Sequence, residues 1–351
     1  MVVHDSQREE YSASTKNFLT NCQNVIMNVI DSRTVADFQK FTFSGHLRQH
    51  VYKVLNENVK LGHADYACYW ALELLCSGLV HSMWQTLFES AAIHINRAAP
   101  NSFLYLIKMY EKFAPYESQY SVMSMTDIRN NPEVRTIICE AAATLALCRK
   151  HKLPTMPKIK PEHDFLPLTI QENLKSPSAN YGREIAKNDD PLEIYIPFNE
   201  LVYCLRGETR DVTRALYWCG WILKYSSQFK KQNKTQLVCA SRTNPYSDQV
   251  YSTLVVWMLW EAVLDAAKKS VQAGVLAPYI DAVFKLHCLR WTPGLQKQRL
   301  CFLVTAIVFV CESTTIDIHS PVPHDLTTVQ NVVVNIPSWI LAIIQTKKTF
   351  S

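Results

Sequence analysis

Met83-Trp84-Gln85-Thr86-Leu87-Phe88-Glu89-Ser90-Ala91-Ala92 is matched almost class by class by Leu259-Trp260-Glu261-Ala262-Val263-Leu264-Asp265-Ala266-Ala267-Lys268. Both read apolar, Trp, polar, small, apolar, apolar, acid, small, Ala. The flanks keep the same order. An aromatic pair comes before each (Tyr69-Trp70; Tyr217-Trp218). A helix with one Lys among apolar residues follows (Leu106-Ile107-Lys108-Met109; Val283-Phe284-Lys285-Leu286). A Pro-started apolar segment closes each unit (Pro132 to Leu147; Pro293 to Val310). Apolar residues recurring every three to four positions make these segments amphipathic helices. The expectation is an all-α fold of two tandem, diverged helical-bundle domains.

Composition agrees. The 351 residues suffice for two domains with cores of their own. With 48% hydrophobic and 19% charged residues the chain is globular, not disordered. Only 8 glycines leave little room for Gly-rich phosphate loops. A net charge of +5 permits contact with nucleic acid without requiring it. The 11 cysteines are odd in number, lie in apolar helical segments and include no Cys-x-x-Cys pair. Free buried thiols in a reducing, intracellular compartment follow. Met1 to Ser6 carries no signal-peptide pattern. The longest apolar run, Leu300 to Cys311, is about a dozen residues against the roughly 20 of a bilayer span, so a soluble protein is expected.

Five segments follow. Residues 1–61 form an N-terminal helical extension, with one helix from Arg8 to about Ile30 and another from His46 to about Val59. Residues 62–152 are the first repeat. There Asp65 to Cys76 is apolar on nearly every face, and Ser77-Gly78 supplies a helix stop. Asn131 caps the 132–151 helix, with Pro132 at its first position and Glu133 at the positive end of its dipole. Residues 153–192 hold Pro154, Pro157, Pro161, Pro167, Pro177 and Pro191, so no long helix survives there. That stretch reads as a linker, or as an arm lying across a partner. Residues 193–318 are the second repeat and 319–351 a tail. In the tail Val329 to Val334 suits a strand and Pro337 to Ile344 a helix.

Catalytic chemistry is not visible. No Gly-x-x-x-x-Gly-Lys-Ser/Thr loop and no nucleophile elbow occur. His46 and His50 share a helix face without a third ligand of metal-site spacing, and His163-Asp164 sits among prolines. No catalytic residue, metal ligand or cofactor site is assigned. Asn233-Lys234-Thr235 fits a glycosylation sequon, against which the cysteine usage argues. Two groups remain. Lys230, Lys231 and Lys234 form a basic loop with Lys224 and Arg242 nearby, flanked by Tyr225, Phe229 and Tyr246. That composition suits contact with single-stranded nucleic acid. Trp84, Trp260, Tyr69 and Trp70 are core residues or interface anchors.

Residues 62–150 resemble the C-terminal helical region of clamp-loader-like ATPases of the Werner-helicase-interacting protein type. They also resemble free-standing versions of that region in large DNA viruses and phages. The residues that carry the likeness are Asp65-Tyr66-Ala67-Cys68-Tyr69-Trp70, Leu74 to Gly78, Trp84, Leu87, Ala91-Ala92 and Ile95. Asn131, Pro132, Glu133, Arg135 and the run Ala141 to Leu147 complete it. The ATPase and its nucleotide loop are missing, and the usual acidic run after the Trp helix is Ser90-Ala91-Ala92-Ile93-His94. The resemblance implies a collar-like self-association surface and no catalytic residue. The expected protein is therefore a non-enzymatic assembly or adaptor component of DNA replication or repair complexes in a large DNA virus. It would be an oligomer or part of a larger assembly, with protein partners and DNA contact through the basic loop, and without a membrane. Its setting would be the host cytoplasm, nucleus or viral factory. The alternative is an internal or minor virion protein bridging larger subunits.

Overall fold

The computed structural model describes residues 28–120, 124–206, 210–246, 249–323 and 327–347. The helix expected over Arg8 to Ile30 lies outside these, except that residues 28–30 are not helical. Thirteen α-helices occur among the described residues, and the β structure there is two isolated bridges, Phe41 with Leu47 and Val238 with Leu254. The fold is all-α.

The chain forms two compact units. One holds 1–87, 108–148 and 323–351; the other holds 88–107 and 149–322. The division falls within α3 (Val80–His94) and α4 (Asn101–Gln119).

In the first unit α2 (Ala64–Cys76) is the central element, as its all-round apolar pattern predicts. It packs along α1 (Arg48–Leu61), α5 (Pro132–Leu147) and α13 (Thr327–Lys347). Small residues Ala67, Cys68 and Ala71, all fully buried, allow close approach of its neighbours. α1 stops at Gly62, whose φ of 82° is a left-handed conformation that glycine tolerates best. α5 starts as expected: the Asn131 Oδ1 accepts from the Glu133 amide at 2.9 Å and the Val134 amide at 3.1 Å. Buried Glu73 accepts from the Ser44 amide at 2.8 Å and hydroxyl at 2.7 Å. Burial raises the Asp31 carboxyl pKa, but hydrogen bonds from Arg33 and from Lys347 at 2.7 Å outweigh it and hold the group well below the usual range.

The tail departs from expectation. Val329 to Val334 is not a strand but the first part of the single helix α13. Val329, Val332, Ile336, Ile340 and Ile343 are its buried residues. Their spacing of three and four aligns one stripe against α2 and α5, and that packing overrides the β preference of a valine run.

In the second unit α12 (Gln296–Cys311) is the core. Phe302 through Val310 are buried without a break. α8 (Tyr195–Leu205), α9 (Val212–Asn233), α10 (Val255–Lys268) and α11 (Ala273–Cys288) pack around it. α10 begins at Val255, later than the expected Asp248, because Leu254 is extended and bridges Val238. Two helical stretches are long and apolar enough to cross a membrane, Pro293–Cys311 and Thr327–Lys347. The sequence expectation of no such span overlooked both. Buried inside the fold is 61% of the first and 28% of the second.

The expected repeats keep their helix order, α2 to α5 and α9 to α12. Their pairings differ: α2 lies mainly along α5, whereas α9 lies mainly along α8 and α12 along α11. One detail recurs. The Trp84 ring meets Tyr110 and Phe113 of α4 at 5.5 and 5.7 Å, and the Trp260 ring meets Phe284 and His287 of α11 at 4.8 and 5.0 Å.

Residues 153–192 are not a free arm. They lie against α8 and α9 of their own unit, with two short helices, α6 (Pro161–Asp164) and α7 (Pro167–Asn173). The Trp221 indole donates to the Asp164 carbonyl at 2.8 Å, and the Phe165 ring sits 4.6 Å from the Trp221 ring. Buried Glu200 accepts from the Lys175 and Ser176 amides at 3.0 and 2.9 Å. Prolines prevent a regular backbone ladder, so side chains of α8 and α9 satisfy the arm's polar groups instead.

Candidate nucleic-acid interface

The expected basic loop is helical. Gln228, Lys230, Lys231 and Gln232 are good helix formers, so α9 runs on to Asn233. It ends at Lys234, whose φ of 59° is the left-handed conformation usual for a C-terminal stop. Lysines here also meet the negative end of the helix dipole. Lys224, Lys230, Lys231 and Lys234 all lie at the surface.

Arg242 does not belong with them. It is 5% exposed, and its guanidinium is bonded to Asp190 at 2.5 and 2.7 Å and to Glu261 at 2.5 Å. Burial opposes charge on both members of the Arg242–Asp190 pair, but their mutual hydrogen bonds win. Asp190 stays below its usual range and Arg242 above its own. The pair is structural.

Two lysines that sequence reasoning missed complete the surface. A groove of about 510 Å³ runs beside α9, lined by Lys224 and Lys230. The arm contributes Lys158, and the start of α12 contributes Lys297. Ile159, Leu223 and Leu300 lend it apolar lining, and no carboxylate borders it. The four lysines make no ion pair among the described residues. A second cavity of about 320 Å³, beside Arg242, contrasts with it: Lys187, Arg242 and Lys268 there face Glu261 and Asp265.

The flanking aromatics are committed elsewhere. Tyr225 stacks on Trp221 at 5.3 Å and meets Phe165 edge-on at 5.6 Å. Tyr246 donates to Asp281 at 2.9 Å and packs on Phe284. Phe229 is half-buried. The groove is an electrostatic surface rather than a stacking platform.

Trp84 and Trp260, each 1% exposed, are core residues. Tyr69 and Trp70 are half-buried and edge-to-face at 5.1 Å. His46 precedes α1, so it does not share a helix face with His50. His163 is exposed, and the Asp164 carboxylate beside it accepts from Tyr217 at 3.2 Å and the Lys160 amide at 2.6 Å. No group of three or more His, Cys, Asp or Glu is placed to hold a metal among the described residues. Ten cysteines there are free thiols. Burial pushes Cys76, Cys219, Cys239 and Cys311 up to about 12 and Cys204 to about 11, which makes them poor nucleophiles.

No protein family, curated protein or solved structure matches this chain.

Proposed function

We propose that this chain is a non-enzymatic assembly or adaptor protein that contacts nucleic acid through the lysine surface of its 149–322 unit. One observation carries the reading: Lys224, Lys230, Lys231 and Lys234 are presented at one helix end without a carboxylate partner. Elsewhere in that unit exposed cations are matched, as Lys269 is by Glu184 at 2.5 Å and Lys187 by Glu261 at 3.8 Å. An unmatched cationic surface attracts phosphates by releasing their condensed counterions. The replication or repair setting, and the large DNA virus as its source, rest on the resemblance of residues 62–150 to clamp-loader-like collars. The titration of the buried thiols supports a structural role for them.

The test is binding of a fluorescein-labelled oligo(dT) to the full chain across a salt series. Neutralising Lys230, Lys231 and Lys234 together is expected to flatten the log–log salt slope by about 2, at roughly 0.7 per lost phosphate contact. An unchanged slope and affinity would sink the nucleic-acid reading.

A further inference from the structure

We infer that the groove walled by Lys158, Lys224, Lys230 and Lys297 holds the phosphate backbone of a single nucleic-acid strand, and that the Pro-rich arm supplies one of its walls. The inference rests on the nucleic-acid reading above and gives it a place. Lining residues from α9 recur at Gly220, Leu223, Lys224, Ser227 and Lys230. They form one stripe about 15 Å long at 1.5 Å per residue. Lys158 reaches the groove only because Met156 and Ile159 seat the arm against Gly220. Lys297 enters from the first turn of α12, where the positive end of the helix dipole adds to its field.

The chemistry selects the ligand. Four exposed ammonium groups without a carboxylate among them favour a polyanion and repel cations and basic peptides. A concave groove admits a narrow strand along its length, whereas a duplex is convex and would touch the rim alone. With Tyr225 and Tyr246 engaged in internal contacts, base stacking contributes little. Binding is therefore expected to follow phosphate spacing and salt, with no base preference.

Four phosphate contacts set a slope of about −2.8, so affinity for oligo(dT) should fall about fiftyfold between 50 and 200 mM salt. The experiment compares two double variants of the full chain, Lys158→Gln/Lys297→Gln in the groove and Lys231→Gln/Lys234→Gln outside it. All four residues are exposed, so the fold is kept. The groove variant should lose about 1.4 from the slope, cutting the salt effect to about sevenfold, and the outer variant should lose less. If the groove variant keeps the parent slope while the outer variant loses it, contact lies at the helix end and the groove inference is overturned. Equal affinity for duplex and single strand also overturns it. If the unaltered chain fails to bind oligo(dT) at the lowest salt, the nucleic-acid reading falls as well.

Discussion

Met156 sits so close over Gly220 that a Cβ at that position would stand 3.0 Å from its Cγ and 3.1 Å from its Sδ. The glycine lies in the middle of α9, where it weakens the helix by about 0.5–1 kcal/mol relative to alanine. What it gains is the seat for the arm. Gly220→Val should push Met156 away and free residues 153–160, raising the rate of tryptic cleavage after Lys158 while the helical circular dichroism stays the same. A cleavage rate equal to the parent's would show that another contact holds the arm.

Lys234 ends α9 with a φ of 59°, a conformation that disfavours a side chain by about 1–2 kcal/mol. Lys234→Gly should therefore raise unfolding stability by about 1 kcal/mol in urea and at the same time weaken oligonucleotide binding. A loss of stability would mean that the lysine stem packs against something that matters more than its backbone strain.

Breaking the buried Arg242–Asp190 pair should be severe. Arg242→Ala leaves the Asp190 carboxylate buried with its amide donors Lys187 and Ala240 but without a counter-ion. Such losses run to about 3–5 kcal/mol. Oligonucleotide affinity of the folded fraction should not change. If binding falls more steeply than the folded fraction, Arg242 does more than hold the structure.

His287 should govern acid sensitivity. It is fully buried among Trp257, Trp260 and Phe302, and its Nδ1 donates to the Arg299 carbonyl at 3.1 Å. Burial lowers its pKa from 6.5 to about 3. The unfolded chain therefore takes up a proton that the folded chain refuses. Its contribution is whole above pH 6.5 and is lost as pH falls toward 3. The slope approaches 1.4 kcal/mol per pH unit, roughly 4 kcal/mol in all. His287→Gln should flatten the dependence of the urea midpoint on pH across that window. An equally steep variant would place the acid sensitivity in other groups.

The raised thiols predict slow alkylation. At neutral pH the native chain should protect the ten described cysteines from iodoacetamide, and denaturant should expose all of them, as read by peptide mass spectrometry. Rapid native modification of Cys219 or Cys76, both fully buried, would contradict the packing.

Local signals in the sequence were read well. Asn131-Pro132-Glu133 marked the start of α5, Gly62 and Gly78 marked stops, and the unbroken apolar run of Phe302 to Val310 marked a core helix. Each depends on neighbours within a turn or two. What failed was long-range. Arg242 looked like part of a basic cluster because its partner Asp190 is 52 residues away. Lys158 and Lys297 looked unrelated because only tertiary packing brings them to Lys224 and Lys230. A run of valines in α13 suggested a strand because the stripe it forms acquires meaning only against α2 and α5. The Pro-rich stretch looked unstructured because its hydrogen-bond partners belong to α8 and α9.

The docking of α13 onto α2 and α5 sets the order in which the chain matures. Ser44 and Ile343, joined by a hydrogen bond of 3.3 Å, are 299 residues apart. Translation at about 5–20 residues per second leaves α2 and α5 outside the ribosome for roughly 10–40 s before α13 follows. During that interval residues 149–322 emerge and can fold, while the apolar stripe that α13 will cover stays open to solvent. The half of the molecule synthesised first is finished last, and a nascent chain stalled before residue 327 is a natural client for a chaperone.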